Sequence, residues 1–353
     1  MRGSSLTFRR RAAVVGAIGL LLVVVVVSGA LATYSGQNGS IAFRRYLDTR
    51  QTQAALLTIA ADGSGERQIT RPPAHTQDDL PDWSPDGRRL VFTRCPPDNV
   101  CRLMIVNADG TGLRALTRSC RTQPGPRGIP RGCEDAANPS FTPDGQHVLY
   151  TRATGRVKAF PRQDTEFIQH SAIAMIGADG TGKREILRLP AYSGDANNPQ
   201  LSPDGRTIVF EEATSPLGHP RLSHAIYTVG ADGSGLHRVT PLNLRGGDGP
   251  DWAPDGSSIL FRSNEDVGNF TKSQLYTIHP DGSGLTQLTH VGGGTKLLSA
   301  SFSPDGTRIV FAMAPRGRLP DLYTMASDGS DVRQVTRTPK WDSRPDWGSL
   351  PMS

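Results

Sequence analysis

Short apolar runs alternate with polar turns along almost the whole chain, and residues 80–117 show the pattern once. Leu90-Val91-Phe92 and Leu103–Val106 are apolar stretches of strand length, and shorter alternating segments lie on either side of them. A Pro-Asp-Gly turn precedes the first stretch, and an Asp-Gly turn of the hairpin type follows the second. The pattern predicts four short antiparallel strands in this unit.

The same unit recurs roughly every 50 to 60 residues, which indicates a repeat architecture. Six Asp-Gly turns each precede Ser or Thr; they begin at Asp62, Asp109, Asp179, Asp232, Asp281 and Asp328. Five of the repeats also carry a Pro-Asp-Gly motif after a short first strand, at residues 85–87, 143–145, 203–205, 254–256 and 304–306. A unit of this size cannot bury its own apolar face, so it must stack on its neighbours.

The two ends of the repeat region complement one another. Asn38–Phe43 reads as a second strand without a first strand before it, and Arg344–Trp347 reads as a first strand without a second. Pairing them removes two exposed strand edges. The sequence therefore predicts an all-β fold, a six-bladed β-propeller of four-stranded antiparallel blades, with one blade closed between the N- and C-termini. No segment of the mature chain has helical periodicity.

The repeated aromatic-Ser-Pro-Asp-Gly start and the later Asp-Gly-Ser-Gly turn resemble the TolB-like, WD40-like repeat family of bacterial β-propellers. The resemblance covers about residues 38–348, and its motif is specific because it recurs in tandem. It implies the propeller fold. TolB itself has an α/β domain ahead of its propeller, for which this sequence has no room, so its role in an envelope-spanning complex is not implied.

The N-terminal segment predicts export. Three arginines, Arg9 to Arg11, precede an uncharged apolar run from Ala12 to Ala32. The run ends in an Ala-x-Ala pattern that suits signal peptidase, and its full length would also span a bilayer. We therefore expect residues 1–32 to be a signal peptide or a membrane anchor, 33–37 a linker and 38–353 the propeller. Either reading predicts an extracytoplasmic protein, bound to the membrane only if the segment is uncleaved.

Charge and cysteine content refine this picture. The formal charge is +6, but four arginines lie in the N-terminal segment, so the chain from Thr33 onward carries +2. That value and the lack of a recognisable module exclude nucleic acid as an expected partner, and we expect a monomer. An even number of cysteines close together favours two disulfides over a metal site, and proximity favours the pairs Cys95–Cys101 and Cys120–Cys133.

Variable loops on one face of the disc are the expected binding surface, because the two turn motifs fall on the other face and are alike in every repeat. The loops of the second and third repeats are rich in basic residues, which an anionic partner would fit. The alternative is that these are solvated loop charges without a ligand. The candidate partner-binding residues are Arg121, Arg127, Arg131, Arg156 and Lys158.

A second candidate site is a ring of polar residues at the end of the innermost strands. These residues precede the aromatic or apolar residue of the Pro-Asp-Gly motif or its counterpart, and they are Asp82, Ser140, Gln200, Asp251, Ser301 and Asp346. We expect them to gather near a central channel, where Asp82, Asp251 and Asp346 would hold a hard cation such as calcium. In the alternative, each carboxylate caps backbone N–H groups. No other cofactor is expected.

Catalytic motifs are absent from the sequence: it has no Gly-x-Ser-x-Gly elbow, zinc-protease motif, P-loop or dinucleotide fingerprint. We therefore predict a non-catalytic exported propeller that binds a protein or peptide partner in the cell envelope through its long-loop face. The alternative is a glycan-binding or polysaccharide-lyase-type propeller. Glu211, Glu212 and three histidines in long loops, His170, His219 and His224, leave that alternative open.

Overall fold

The computed structural model describes residues 36–97, 101–118, 120, 133–159, 165–190, 195–214, 223–241, 244, 247–264 and 273–351. Regular structure in these residues is β-strand throughout, as the sequence predicts. No helix in these ranges is long and apolar enough to cross a bilayer. The predicted signal peptide or anchor, residues 1–32, lies outside the described residues.

The strands are short and recur in groups of four, with a two- to five-residue fourth strand after each Asp-Gly turn. In chain order they are β1 (Asn38–Tyr46), β2 (Ala54–Ile59), β3 (Arg67–Gln68), β4 (Gln77–Trp83), β5 (Arg89–Cys95), β6 (Arg102–Asn107), β7 (Arg114–Ala115), β8 (Asp135–Phe141), β9 (His147–Ala159), β10 (Thr165–Gly177), β11 (Arg184–Arg188), β12 (Asp195–Leu201), β13 (Thr207–Thr214), β14 (Ser223–Gly230), β15 (His237–Arg238), β16 (Asp248–Trp252), β17 (Ile259–Asn264), β18 (Ser273–Ile278), β19 (Thr286–Gln287), β20 (Lys296–Phe302), β21 (Arg308–Ala314), β22 (Asp321–Ala326), β23 (Arg333–Gln334) and β24 (Asp342–Ser349).

The strands form one eight-stranded sheet and four antiparallel four-stranded sheets, an arrangement typical of a β-propeller. The eight-stranded sheet consists of two antiparallel halves, β24-β1-β2-β3 and β4-β5-β6-β7, which we call the first and second sheets; a single parallel pair, Ala54 with Gln77, connects them. The third to sixth sheets take the next strands in order, four at a time, beginning at β8, β12, β16 and β20. The innermost strand of each sheet is thus β24, β4, β8, β12, β16 or β20.

The first sheet joins the two ends of the repeat region, as the sequence predicts. Strand β24 pairs antiparallel with β1, and Trp347 lies opposite Ile41. Side chains reinforce this pairing: Arg45 Nε donates to Asp342 Oδ1 at 2.6 Å, and the indole N–H of Trp347 donates to the carbonyl of Gly39 at 3.2 Å. The Arg45–Asp342 ion pair is buried, so removing either partner would strand a charge away from water.

The Asp-Gly turns are formed by their aspartates, as expected. In the fourth sheet, Asp232 Oδ1 accepts hydrogen bonds from the backbone N–H and the hydroxyl of Ser234 at 2.9 and 2.7 Å. Gly233 has φ +87°, a conformation that costs glycine little. A Cβ on Gly233 would lie 2.3 Å from the carbonyl oxygen of Ile186 in the neighbouring sheet, so this turn also needs glycine for close packing.

The core lies between neighbouring sheets and is built from the second strand of each one. An aromatic residue sits at the same place in every second strand and is at most 2% exposed: Phe43, Phe92, Tyr150, Phe210, Phe261 and Phe311. Because each aromatic packs across a sheet boundary, burial of these rings holds the sheets together.

One loop expectation is wrong. The sequence treats residues 151–170 as an irregular loop, but β9 and β10 continue as a regular hairpin of thirteen residues per strand, in unbroken register from His147↔Gly177 to Ala159↔Thr165. Backbone hydrogen bonding extends the ladder through a polar sequence that lacks the alternation of a half-buried strand. Arg156 and Lys158 therefore lie in strand β9.

Candidate functional site

The six innermost strands converge on one cavity of about 100 Å³, which we call the central cavity. Each strand contributes three consecutive residues, the second of which is proline in all but the sixth sheet. The lining segments are residues 80–82, 138–140, 198–200, 249–251, 299–301 and 344–346. All six polar residues that the sequence aligns at this level line the cavity.

Three of these polar residues are aspartates, and each one binds the backbone of the neighbouring sheet. In each case a carboxylate oxygen accepts a hydrogen bond from the backbone N–H of the aromatic residue that lies two positions before a Pro-Asp-Gly turn of the next sheet. The N–O distances are 2.7 Å from Phe141 to Asp82, 2.6 Å from Phe302 to Asp251 and 2.7 Å from Trp83 to Asp346.

The other three polar residues complete the circuit. Ser140 Oγ donates to the carbonyl of Pro199 at 2.7 Å, and Gln200 Oε1 accepts the N–H of Trp252 at 3.0 Å. Ser301 Oγ donates to Asp346 Oδ1 at 3.2 Å. Hydrogen bonds thus run from sheet to sheet around the entire cavity and return to the first sheet.

The carboxyls of the central cavity are hard to ionise. Burial raises the pKa of Asp251 to about 7, against the hydrogen bond that it accepts from Phe302. Burial also raises the pKa of Asp346 to about 6. The pKa of Asp82 is raised well above its ordinary value by burial and by the neighbouring carboxyls of Asp346 and Asp251. Near neutral pH the three groups together carry less than three negative charges.

The calcium-type site stays a prediction. Within the described ranges, no group of three or more His, Cys, Asp or Glu side chains is arranged to hold a metal ion. The hydrogen bonds of Asp82, Asp251 and Asp346 instead match the alternative in which each carboxylate caps backbone N–H groups, here those of the next sheet.

A bulge shapes the wall of the central cavity. In the innermost strands, pairing slips just before the lining proline, and the residue ahead of that proline adopts a left-handed backbone. These residues and their φ values are Leu80 53°, Asn138 52°, Asn198 49°, Gly249 59° and Arg344 56°. Only one of them is glycine. Such a conformation is strained in a bulky residue such as Leu80 or Arg344, and strain of this kind clusters at binding sites.

A carboxylate–imidazole pair lies beside the central cavity in the fourth sheet. His224 Nδ1 is 2.5 Å from Glu211 Oε1, and the side chains are 29% and 4% exposed. Glu211 Oε2 also accepts the side-chain amide of Asn198 at 3.1 Å and the backbone N–H of Gly249 at 3.4 Å, both from the cavity wall. The buried carboxylate orients the imidazole through Nδ1.

The sequence names Glu211 and His224 but does not pair them. Alignment of the repeats would have identified the pair. Aligned on the buried aromatic of the second strand, the third sheet has Thr151 and Ser171 at these positions, and Ser171 binds the backbone of Ala196. A structural hydroxyl pair is thus replaced by an acid and an imidazole in the fourth sheet.

Arg344 is a cavity residue that sequence reasoning missed. Its backbone N–H donates to Ser299 Oγ at 3.0 Å, which fixes the strained turn ahead of Pro345. No carboxylate lies within ion-pairing distance of its guanidinium in the part of the chain that the structure describes. No sequence pattern marks Arg344, because the aligned positions in other repeats carry Leu, Asn, Gly and Ser.

Most of the candidate partner-binding residues on the long-loop face lie outside the residues that the structure describes. Arg121, Arg127 and Arg131 lie outside the described residues, and Arg156 and Lys158 are placed only by the backbone of β9. Disulfides join Cys95 to Cys101 and Cys120 to Cys133, which are the pairs that proximity favours. The first disulfide ties the end of β5 to the start of β6 at the edge of this face.

No family model matches the chain, but several curated proteins do. It is 27% identical over 167 residues to the uncharacterized peptidase YuxL of Bacillus subtilis, covering 42% of this chain and 23% of YuxL. It is 25% identical over 266 residues to the uncharacterized protein Atu1656 of Agrobacterium fabrum, covering 73% and 75%. It is 32% identical over 98 residues to the Tol-Pal system protein TolB of Anaeromyxobacter dehalogenans, covering 28% and 21%. The chain thus spans about a quarter of YuxL and a fifth of that TolB.

Solved structures show the same fold. TolB from Acinetobacter baumannii superposes with a TM-score of 0.65 at 17% identity, over 89% of this chain and 68% of that one. The acylaminoacyl peptidase of Pyrococcus horikoshii gives 0.52 at 12% identity, over 87% and 47%. An oligogalacturonate lyase from Vibrio parahaemolyticus gives 0.51 at 14% identity, over 86% and 77%. The chain is a β-propeller, and its resemblance to the TolB-like propellers is confirmed at the level of the fold.

These comparisons contradict one prediction, that the chain is not an enzyme. Proteins named as peptidases share part of its sequence or its fold, and so does a protein named as a lyase. The missing catalytic motifs therefore do not exclude an activity, because this fold serves both binding proteins and enzymes.

Proposed function

We propose that the chain is an exported six-bladed propeller that binds a protein or peptide partner of the cell envelope at its long-loop face, over the central cavity. The closed circuit of hydrogen bonds through Asp82, Asp251 and Asp346 supports six blades in one ring. Two disulfides support a location outside the reducing cytoplasm, as does the resemblance to TolB-like propellers.

The observation that carries the binding proposal is the strained wall of the central cavity. Five of its six lining segments hold a left-handed residue, four of which are not glycine. The sheets keep these residues in place around one cavity. A rigid scaffold with irregular loops around a shallow cavity is suited to binding a segment of another polypeptide.

Site-specific photo-crosslinking tests the proposal. A photoreactive phenylalanine analogue would replace Leu80, which lines the central cavity, in cells that express the full chain. A matched variant would carry it at Leu236, which is 50% exposed and follows the Asp-Gly turn of the fourth sheet, on the opposite face. We expect illumination to trap a discrete envelope protein from position 80 and not from position 236.

Crosslinking from position 236 alone would move the binding surface to the short-turn face. If neither position captures an envelope protein while both variants are exported and folded, the binding proposal is wrong.

A second candidate function is an acid–base activity on a carbohydrate, and the Glu211–His224 pair is the observation that favours it. A buried carboxylate that orients an imidazole beside a cavity is a general-base arrangement. Incubation with oligogalacturonides, followed by ultraviolet absorbance of unsaturated products, tests this candidate. A rate that disappears in His224→Gln and persists in His237→Gln, an exposed control, would support it.

A further inference from the structure

A cleft of about 690 Å³ lies between the fifth and sixth sheets on the short-turn face, and we call it the inter-sheet cleft. Residues of the Pro-Asp-Gly turns of both sheets line it, as does Ser327 beside the Asp-Gly turn of the sixth sheet. Its volume is within the roughly 300–1,000 Å³ of pockets that bind small ligands. Leu236, the crosslinking control, does not line it. The inter-sheet cleft is therefore distinct from the central cavity and from the surface proposed for the envelope partner.

Two arginines occupy the corresponding place between the second and third sheets. A smaller cavity there, of about 380 Å³, is lined by Arg89 and Arg114 of the second sheet. Nη2 of Arg114 donates to the carbonyl of Ala178. Nη2 of Arg89 donates to the carbonyl of Gly145 at 3.2 Å, and the central carbon of this guanidinium lies 5.5 Å from the centroid of the Phe141 ring. The two guanidiniums thus contact two backbone carbonyls and one aromatic ring of the third sheet.

The fifth sheet lacks both arginines. In the first sheet, Arg67 makes the same contact as Arg114, with the carbonyl of Ala108. Strand register places Thr286 of the fifth sheet at this position. Ser258 replaces the arginine that follows the Pro-Asp-Gly turn. Both replacements are short side chains, which leave the inter-sheet cleft open.

The groups that these arginines contact are nevertheless kept in the sixth sheet. The carbonyls of Gly306 and Ser327 and the ring of Phe302 stand at the equivalent positions, and all three residues line the inter-sheet cleft. No side chain of the residues that the structure describes donates a hydrogen bond to either carbonyl. The inter-sheet cleft therefore has the acceptors for a guanidinium and no guanidinium of its own among these residues.

The charge of the inter-sheet cleft is negative. Asp255 and Asp305 line it, and no lysine, arginine or histidine of the described ranges does. The hydroxyl and the N–H of Ser257 lower the pKa of Asp255. Burial acts to raise the pKa of Asp305, but hydrogen bonds from Ser303 and Thr307 outweigh burial, so this pKa is lowered as well. Both carboxylates are therefore ionised at neutral pH and favour a cation.

We propose that the inter-sheet cleft binds an arginine side chain of a partner polypeptide, which takes the place of the arginines that the fifth sheet lacks. Its guanidinium donates to the carbonyls of Gly306 and Ser327, and Asp255 and Asp305 balance its charge. Arginine is preferred to lysine, because the planar guanidinium donates through several N–H groups whereas the ammonium is a compact point charge. This inference goes beyond the proposed function, since the site lies on the opposite face.

Three synthetic pentapeptides test this proposal against the full chain in mild detergent. The first is acetyl-Gly-Gly-Arg-Gly-Gly-amide, the second has Lys in place of Arg, and the third has citrulline, which keeps the shape of arginine without its charge. Binding is followed on the backbone N–H resonance of Ser327 in ¹⁵N-serine-labelled protein. We expect the Arg peptide to shift this resonance, the Lys peptide to bind more weakly, and the citrulline peptide to bind at least about tenfold more weakly.

Matched variants link binding to the inter-sheet cleft. Thr286→Arg supplies the arginine that the first two sheets carry, so it should weaken the Arg peptide at least about tenfold without lowering the melting temperature. Asp255→Asn removes one negative charge and keeps an oxygen acceptor for the N–H of Ser257, and it should weaken the Arg peptide severalfold. Asp204→Asn, at the corresponding turn of the fourth sheet, should leave binding unchanged, because Asp204 does not line the cleft.

Binding of the Lys or citrulline peptide as tight as that of the Arg peptide would overturn the proposal, as would a Ser327 resonance that the Arg peptide does not shift. Unchanged affinity in Asp255→Asn, or in a Thr286→Arg variant that melts like the wild type, would also overturn it. Tighter binding of spermidine than of the Arg peptide would assign the cleft to a polyamine and reject the polypeptide partner. Crosslinking from position 80 reports on the opposite face, so either proposal can fail without the other.

Discussion

Aspartates serve two opposite electrostatic roles in this molecule. In the Asp-Gly turns, the pKa of the carboxyl is lowered, because the hydroxyl and the N–H two residues on donate to an exposed carboxylate, as Ser234 does to Asp232. In the central cavity, Asp251 also accepts a backbone N–H, yet its pKa is raised to about 7 because the group is buried. Hydrogen bonding is common to both sets, so burial decides the direction.

The difference explains why the short-turn face is repeated and the cavity is not. An exposed turn needs only local partners, so each repeat can carry the same residues. A cavity shared by six sheets cannot hold six buried carboxylates at once, since each raises the cost of ionising the others. Ser140, Gln200 and Ser301 complete the circuit with neutral groups.

The largest expected effect comes from breaking the circuit at the first sheet. Deleting residues 343–353 removes most of β24, including Asp346, and exposes an edge of β1. We expect loss of cooperative thermal unfolding or heavy aggregation, measured by circular dichroism and light scattering. A deletion variant that melts within a few degrees of the full chain would show that the first sheet does not depend on this strand.

Removing one carboxylate from each set tests the comparison directly. Asp251→Ala leaves the buried N–H of Phe302 without its acceptor, and we expect a loss of about 1–3 kcal/mol in the free energy of unfolding. Asp232→Ala, in an exposed turn, should cost less, because water can replace the carboxylate. Asp251→Asn keeps an oxygen acceptor and should lie closer to wild type. Urea denaturation measures all three; equal losses for Asp251→Ala and Asp232→Ala would contradict the contrast.

The two sets also predict opposite dependences on pH. Between the ordinary value of 3.8 and about 7, folded Asp251 holds more proton than the unfolded chain does, so the free energy of unfolding should fall as pH rises through this window. The turn aspartates have lowered pKa values, so their contribution is lost only below pH 3.8. Asp251→Asn should flatten the fall by at most about 1.4 kcal/mol per pH unit. Denaturation at pH 4.5, 6 and 7.5 measures this slope, which Asp232→Asn should leave unchanged.

The smallest expected effect on stability concerns the basic residues of the long-loop face. Replacing Arg121, Arg127, Arg131, Arg156 and Lys158 together with Ser should change the free energy of unfolding by no more than about 0.5 kcal/mol, because surface charges contribute little. The same variant should bind an envelope partner found by crosslinking more weakly, and the wild-type complex should weaken as salt rises. Unchanged affinity would place recognition elsewhere on the molecule.

The fold could be predicted because its signals are local and repeated. Asp-Gly turns and buried aromatic strands recur in the same order in successive repeats, so each repeat supports the assignment of the others. The extended hairpin could not be predicted, because β9 beyond Thr151 contains Gly155 and several charges and lacks the alternation by which strands are recognised. The pairing there follows from the adjacent strand rather than from the side chains.

The candidate site could be predicted only in part, for a different reason. The ring of polar residues could be predicted because its members occupy the same position in each repeat. The left-handed backbone at Leu80 and Arg344 was not, because neither residue type favours that conformation. His224 and Glu211 are thirteen positions apart in sequence. They meet because of the register in which strands β13 and β14 pair.

The pairing of β1 with β24 constrains the order in which the chain can fold. Arg45 donates a hydrogen bond to Asp342, 297 positions away in sequence, and Trp347 donates one to the carbonyl of Gly39, 308 positions away. Strand β1 is synthesised early, but its inner edge stays unpaired until β24, the last strand of the repeat region, has been synthesised. Contacts this distant in sequence form slowly, and until they form the edge of β1 can pair with another chain. We therefore expect an export pathway that delivers the chain unfolded to need a chaperone outside the cytoplasm to protect β1 until β24 arrives.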